Sequence, residues 1–442
     1  MAAPASAAPL FVGIDFGTSG CRAVAIDGAG QIQAQVAREL PAGIRDGVCH
    51  TQAPQDWWLT LTQVLDALLA TIDRRHVAAL AVDGTSATLL LTDAAGMPLG
   101  PALMYDDRRA TAAAERIAAI APLDSPARAA TSSLAKLLHL RADPNYRHAR
   151  HALHQADWIT GRLLGTYTHS DENNCLKLGY DPVLRAWPAW LQDLHFDLSL
   201  LPVPAQPGCV LGPLDNAIAA RFGLSNAVQV VAGTTDSTAA FLATGAQVPG
   251  EAVTSLGSTL VLKVLTDAPV NAPEFGVYSH RLGDLWLVGG ASNSGGAVLR
   301  KYFTPQQLDA LTPHLQASTP TGLDYYPLCE PGERFPANDP TLAPRVSPRP
   351  ADDLQFLQGL LEGIARIEQR GYALLHTLGA PYPTSIRSVG GGAVNQAWTE
   401  IRGALLDVPM LTPMQSEAAY GAALLAKRSS ESLSNFPTIC PA

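Results

Sequence analysis

An aspartate that ends an apolar run and is followed by glycine and two hydroxyl residues can handle a phosphorylated ligand. Leu10, Phe11, Val12 and Ile14 lead into Asp15-Phe16-Gly17-Thr18-Ser19-Gly20, and Arg22 to Ile26 leads away. Two β-type runs about such a turn predict a hairpin. Gly17 and Gly20 admit close backbone approach, and successive N–H groups in the turn form an anion-binding concavity. Thr18 and Ser19 add hydroxyl donors, Arg22 stands with them as a candidate cofactor-side residue, and Asp15 offers a carboxylate to Mg²⁺, usually through water. The same residues would equally serve a plain surface hairpin. Glu251 to Leu265 repeats the design, with Gly257-Ser258-Thr259 at its tip. Asp236, after a strand-like run and at a helix start, could accept a proton from an alcohol under phosphoryl attack, or could simply cap the helix. Tyr105, Asp106, Asp107, Arg108 and Arg109 form a polar knot with one aromatic. That chemistry suits a sugar, with hydroxyls on the charges and carbons on the ring, and it also suits an ordinary helix start.

Two hairpins of one design, one per half of the chain, suggest a nucleotide held in a cleft between two similar domains. In this order the motifs resemble the FGGY carbohydrate kinases, within the sugar kinase, Hsp70 and actin-like superfamily, over roughly Phe11 to Ala426. The resemblance implies two actin-like (ribonuclease H-like) α/β domains with mixed sheets flanking a nucleotide cleft, with ATP and Mg²⁺ as cofactors. The family's W-x-D-x-R sugar element becomes Tyr105-x-Asp107-x-Arg109 here, with tyrosine in place of tryptophan. The family's base falls on Asp236, its sugar-side turn on Ser86, and its adenosine motif on Gly390, Gly391, Gly392 and Asn395. Gly295 and Gly296 join the nucleotide side, as do Gly257, Ser258 and Thr259, while Asp15 and Asp236 border the substrate. VDGTSATLLL, ALMYDDRR and GVYSHRLGDLWLVGGASNSGGAVLR resemble the small plant and cyanobacterial branch of D-ribulose or xylulose kinase-like members. D-ribulose, phosphorylated on its 5-hydroxyl, is the expected substrate; D-xylulose is the alternative, followed by other polyols.

These residues need elements to hold them. Gly30 to Glu39 reads as a third strand, Gln55 to Ile72 as an amphipathic helix, and His76 to Val82 as a strand ending at Asp83-Gly84-Thr85-Ser86. Helices are expected over 128–141 and 148–164. His148, His151 and His154 step by three, drift around such a helix and share no ligand spacing, so a solvated basic face is expected rather than a metal site. Polar Ser170 to Tyr180 could line the substrate side. Strand-to-turn breaks recur at Gly233 and Gly390, and Leu354 to Leu378 reads as a long helix. The expected division is a tail over 1–9, an N-terminal domain over 10–225, a C-terminal domain over 226–427 carrying Asp236, and a loose tail over 428–442.

The 442 residues bury ample core, with 47% hydrophobic and 16% charged residues, a globular composition. A net charge of −9 gives no basic footprint for nucleic acid. Six scattered cysteines without a CxxC pair favour reduced thiols and a cytoplasmic setting. No signal peptide or membrane-length apolar run is expected. Asp15-Phe16-Gly17 spells the protein-kinase DFG without its companion loops, and no P-loop or Rossmann fingerprint occurs. The expected partners are a ketopentose and ATP, with no nucleic acid or membrane, in a monomer or homodimer. From other classes, a chaperone-type ATPase should carry a following peptide-binding domain, and a silent sugar- or nucleotide-binding protein should have lost Asp15 or Asp236.

Overall fold

Seven successive buried residues make β1, Leu10–Phe16, in a computed structural model that describes residues 8–435. A continuous apolar run marks a strand covered on both faces. β1 pairs antiparallel with β2, Gly20–Ile26, and parallel with Val77–Gly84. The full sheet is mixed, in the order Val210–Pro213, Gln229–Val231, Val77–Gly84, β1, β2 and β3, where β3 is Ile32–Glu39. Helix α1, Pro54–Leu69, starts with proline in its first turn and buries Trp57, Leu61, Val64, Leu65 and Leu68. Helix Ala418–Asn435 also packs on β1. A Cβ on Gly13 would lie 2.0 Å from the Ala419 carbonyl oxygen, so glycine lets this helix close on the strand. A smaller sheet, ordered Ile44–Asp46, Cys49–Gln52, Ala102–Leu103, Leu89–Thr92 and His151–His154, leads into the polar knot after Leu103. Residues 8–243 and 417–435 together make this first unit.

Thr244–Ser416 is a second unit. Its sheet runs Tyr278–Leu282, Leu285–Ser292, Leu260–Thr266, Glu251–Leu256, Ser385–Val389 and Met410–Leu411, again mixed. Helix Asp353–Thr377, capped by Asp352, lies on it with a largely buried face. Under that face Arg402 and Glu368, both wholly buried, meet at 2.6 Å, and Thr254 donates to Glu368 at 2.6 Å. Each unit therefore opens on an antiparallel hairpin with a parallel strand beside it, as the repeated motif predicts.

Several expectations need correction. The boundary placed at Asn226 falls inside the first unit, because Gln229–Val231 pairs parallel with Val77–Gly84. Asp236 consequently belongs to the first unit, and the chain returns there from Glu417. Of 128–141 only Ser133–Leu140 is α-helical, after a short 3₁₀ turn at Pro126–Arg128. His151–His154 is a strand paired with Leu89–Thr92, and the helix begins at Gln155. Sheet pairing here overrides local helical spacing. His154 is wholly buried, its ring held by Asp157 at 2.7 Å and Ser133 at 2.8 Å, so it is no solvated face. The tail expected over 428–442 is helical as far as Asn435; residues 436–442, and residues 1–7 of the first tail, lie outside the described residues. Five cysteines are free among the described residues, and no described helix is long and apolar enough to cross a membrane.

Candidate active site

Parallel pairing sets Asp15 opposite Asp83 at the carboxyl ends of neighbouring strands. A bridge between Gly84 and Thr235 brings the start of helix Asp236–Ala243 alongside. Ligands of open α/β sheets gather at such strand ends. The approach depends on Gly233, where a Cβ would sit 1.7 Å from the Val82 oxygen. Asp15, 3% exposed, accepts from Arg22 Nη1 at 3.1 Å, and Arg22 Nε lies 3.5 Å from Glu417. Asp83 is wholly buried and neither of its oxygens meets a hydrogen-bond donor. Burial first, then the charge of Asp15, pushes the Asp83 carboxyl well above the usual carboxylate range. Asp236 is half-buried and its Oδ1 accepts from Ser237 N at 2.6 Å.

The β1–β2 tip is held from behind. Gly17 N donates to Gly20 O at 3.0 Å, and Gln52 Nε2 donates to Thr18 O at 2.8 Å. Trp57 Nε1 fixes Gln52 in turn at 2.9 Å. Beside the tip opens a cavity of about 750 Å³ whose walls include Thr18, Ser19, Arg22, Arg38 and Arg45. Oxygen donors suit a hard divalent cation. The carboxylate of Asp15, at a strand end beside the hairpin tip, fits Mg²⁺. Among the described residues no group of three or more metal-ligating side chains occurs, so phosphate and water oxygens would complete such a shell.

In the Tyr105–Arg109 knot and the Ser86 turn the structure separates residues that the sequence treats alike. Tyr105 is 41% exposed. Asp107 is wholly buried; it accepts from His50 N at 2.7 Å and from Arg109 Nη2 at 2.7 Å and Nε at 3.0 Å. Burial raises the Asp107 carboxyl, but the Arg109 and backbone hydrogen bonds prevail and hold it below the usual range. Asp107 thus aims Arg109, while Asp106 pairs with His50 and Arg45. Ser86 is half-buried in the turn after Val77–Gly84, and Thr85 beneath it is fixed by Gln155 through N at 3.1 Å and Oγ1 at 2.8 Å. Ser170 to Tyr180 is mostly buried, and Asn173 Nδ2 donates to Thr234 Oγ1 at 3.0 Å. Sequence reasoning missed Lys136, whose ammonium is wholly buried among these segments. Burial foremost, with Lys177 next, pulls it down to about 7 against the pull of Asp107 and Asp106. An amphipathic helix gives no hint that one lysine points inward.

In the second unit three separated glycine motifs meet. Gly390 sits at φ 85°, where a Cβ would lie 3.0 Å from Leu256, and Gly295 sits at φ 145° against Ser258 and Thr259. Gly296 N donates to Gly257 O at 2.8 Å, and Arg300 Nη2 reaches Ser258 Oγ at 2.8 Å. Gly392 clears the Trp398 ring, whereas Gly391 faces open space. Asn395 caps helix Gln396–Leu406 through Trp398 N at 2.9 Å. Arg300, exposed beside the hairpin tip, is a further cation that the sequence left unremarked.

Two mixed-sheet α/β units, each with glycine turns and the first with acidic strand ends, define the two-domain fold of the actin-like class. The N-terminal domain model of the FGGY family of carbohydrate kinases matches residues 10–243 and the C-terminal domain model matches 252–430. The chain belongs to the FGGY family of carbohydrate kinases. It is similar to the xylulose kinase of Escherichia coli K12, 25% identical over 416 residues that cover 89% of this chain and 84% of that one. The xylulose kinase of Streptomyces coelicolor is 27% identical over 456 residues, covering 95% and 88%. The crystal structure of a xyloylose kinase from Brucella ovis superposes with a TM-score of 0.87 at 26% identity, covering 98% of this chain and 92% of that one. The protein is accordingly a sugar phosphotransferase of a family whose kinases use ATP, with Mg²⁺ typical.

Proposed function

We propose that this chain transfers the γ-phosphoryl group of ATP to the 5-hydroxyl of D-xylulose. The observation that carries the reaction is the gathering of Asp15 and Asp236 at adjoining strand ends of one sheet. The names of the curated relatives move the substrate from D-ribulose, first on motif resemblance, to D-xylulose. D-ribulose remains the second reading, supported by the VDGTSATLLL and ALMYDDRR segments.

Arg109, aimed by Asp107, and Ser86 bind sugar hydroxyls, with Tyr105 against the carbon chain. In the first unit Gly17, Thr18, Ser19 and Arg22 offer donors to nucleotide phosphates, and in the second Gly257, Ser258, Thr259, Gly295, Gly390, Gly391, Gly392 and Asn395 are suited to a nucleotide. Asp236 orients the terminal hydroxyl. As the oxygen bonds to the γ-phosphorus, the β–γ bridging P–O bond breaks and its electron pair leaves with ADP. The hydroxyl proton passes late in the transfer to an Asp236 oxygen. Mg²⁺, when bound, neutralises the phosphate oxygens, and Asp15 would hold it, usually through water.

Sugar-dependent ADP release across D-xylulose, D-ribulose, L-ribulose, ribitol and glycerol tests this. Turnover with D-xylulose at the highest kcat/KM is expected. A preference for D-ribulose would restore the second reading, and release indifferent to every sugar would sink both.

A further inference from the structure

Lys136 lies on helix Ser133–Leu140 and is wholly buried. Its Nζ donates to the Ala87 carbonyl at 2.8 Å and to the Met104 carbonyl at 2.7 Å. Ala87 directly follows Ser86, and Met104 directly precedes Tyr105. One ammonium therefore ties together the two segments read above as sugar-binding. Ala87 is also a non-glycine residue at φ 70°, wholly buried. An L-residue in that region is strained, and such strain persists only where the surroundings over-determine it, commonly at functional sites. A buried lysine is itself costly, and a fold that merely joined two loops could do so with a neutral donor.

We propose that Lys136 is a positioning residue: it fixes the Ser86 turn and the Tyr105–Arg109 loop at one spacing and thereby sets affinity for the sugar. This rests on the reading that these segments bind the sugar. The carbonyls that Lys136 holds adjoin Ser86 and Tyr105, so its removal should act on the sugar and spare the nucleotide. Its electrostatic neighbours, Asp106, Asp107, Arg109 and Lys177, belong to the knot or flank it, and none replaces the two N–H donors.

Lys136→Met keeps the apolar stem and removes both donors. The expected result is a sugar KM raised about tenfold or more, with kcat and the KM for ATP changed by no more than about threefold. Lys136→Gln returns a shorter two-proton donor and should recover part of the sugar KM, with thermal unfolding followed for both variants. An unchanged sugar KM in a folded variant overturns the proposal. So does a parallel rise in both KM values, or a failure of both variants to fold, which would make Lys136 a stability residue alone. The KM is read with whichever sugar the unaltered chain phosphorylates, so a wrong substrate leaves the test of Lys136 intact. If the unaltered chain phosphorylates no sugar, the kinase reading fails first and this inference falls with it.

Discussion

Asp236 and Asp83 are both aspartates at strand or helix ends, yet their surroundings give them different work. Asp236 is half-buried, and its Oδ1 accepts from the Ser237 backbone N–H. Asp236→Asn keeps shape and hydrogen bonding while removing the proton acceptor. A fall in kcat of about 10²–10⁴-fold is expected, with binding of ATP and an unchanged unfolding temperature, by steady-state kinetics beside calorimetry. A kcat within tenfold of the unaltered chain would remove Asp236 from the base role. Asp83 is buried without a donor, and its folded pKa is raised. An unfolded aspartate titrates near ~3.9, so above that pH the native state binds more protons than the unfolded one. The stability from a neutral Asp83 is whole below the unfolded value and is lost as pH rises through the folded one. Asp83→Asn mimics the neutral acid. It should leave the unfolding temperature unchanged near pH 4 and raise it by about 2–4 °C near pH 8. Equal unfolding temperatures at both pH values would count against a carboxyl held neutral. Asp15 and Asp236 stood out in the sequence because each adjoins a glycine or hydroxyl turn; the burial of Asp83 beside Asp15 did not, since it comes from strand register.

Two packings decide whether the elements hold. A Cβ on Gly421 would lie 1.9 Å from the Ala239 carbonyl oxygen, and backbone cannot step aside as a flexible side chain can. Gly421→Ala should therefore destabilise the first unit by about 1–3 kcal/mol or more, despite alanine's better helix propensity. Denaturant unfolding showing a gain in stability would contradict this helix–helix contact. In the second unit Arg402 donates to Glu368 at 2.6 and 2.7 Å and to Ser388 at 2.7 Å. Arg402→Leu leaves a buried carboxylate unpaired and should cost about 3–5 kcal/mol, whereas the double change to apolar residues should cost much less. Both hairpins and the long helix were legible from periodicity. The strand His151–His154 was not, because its pairing partner lies some sixty residues earlier, at Leu89–Thr92.

At the scale of the molecule the chain leaves its first unit at Thr244 and returns at Glu417. The returning helix covers β1 and buries Ala419, Tyr420, Ala422 and Ala423. A chain stopped after Ser416 should thus fail to form a stable first unit and lose sugar binding. Limited proteolysis followed by mass spectrometry is expected to show rapid cleavage within 10–243. A protease-resistant first unit would show that the helix is dispensable.

The sequence alone determined the two hairpins, the glycine turns, the acidic strand end at Asp15, the aspartate at a helix start and the family that these define. Those features are local, set by period, turn chemistry and order along the chain. Tertiary structure alone decided that Asp236 sits in the same unit as Asp15, that Asp107 is spent on Arg109, and that Lys136 points inward between two loops. Each of these is a matter of which distant backbone lies alongside, and strand register and close packing are not written in any single segment.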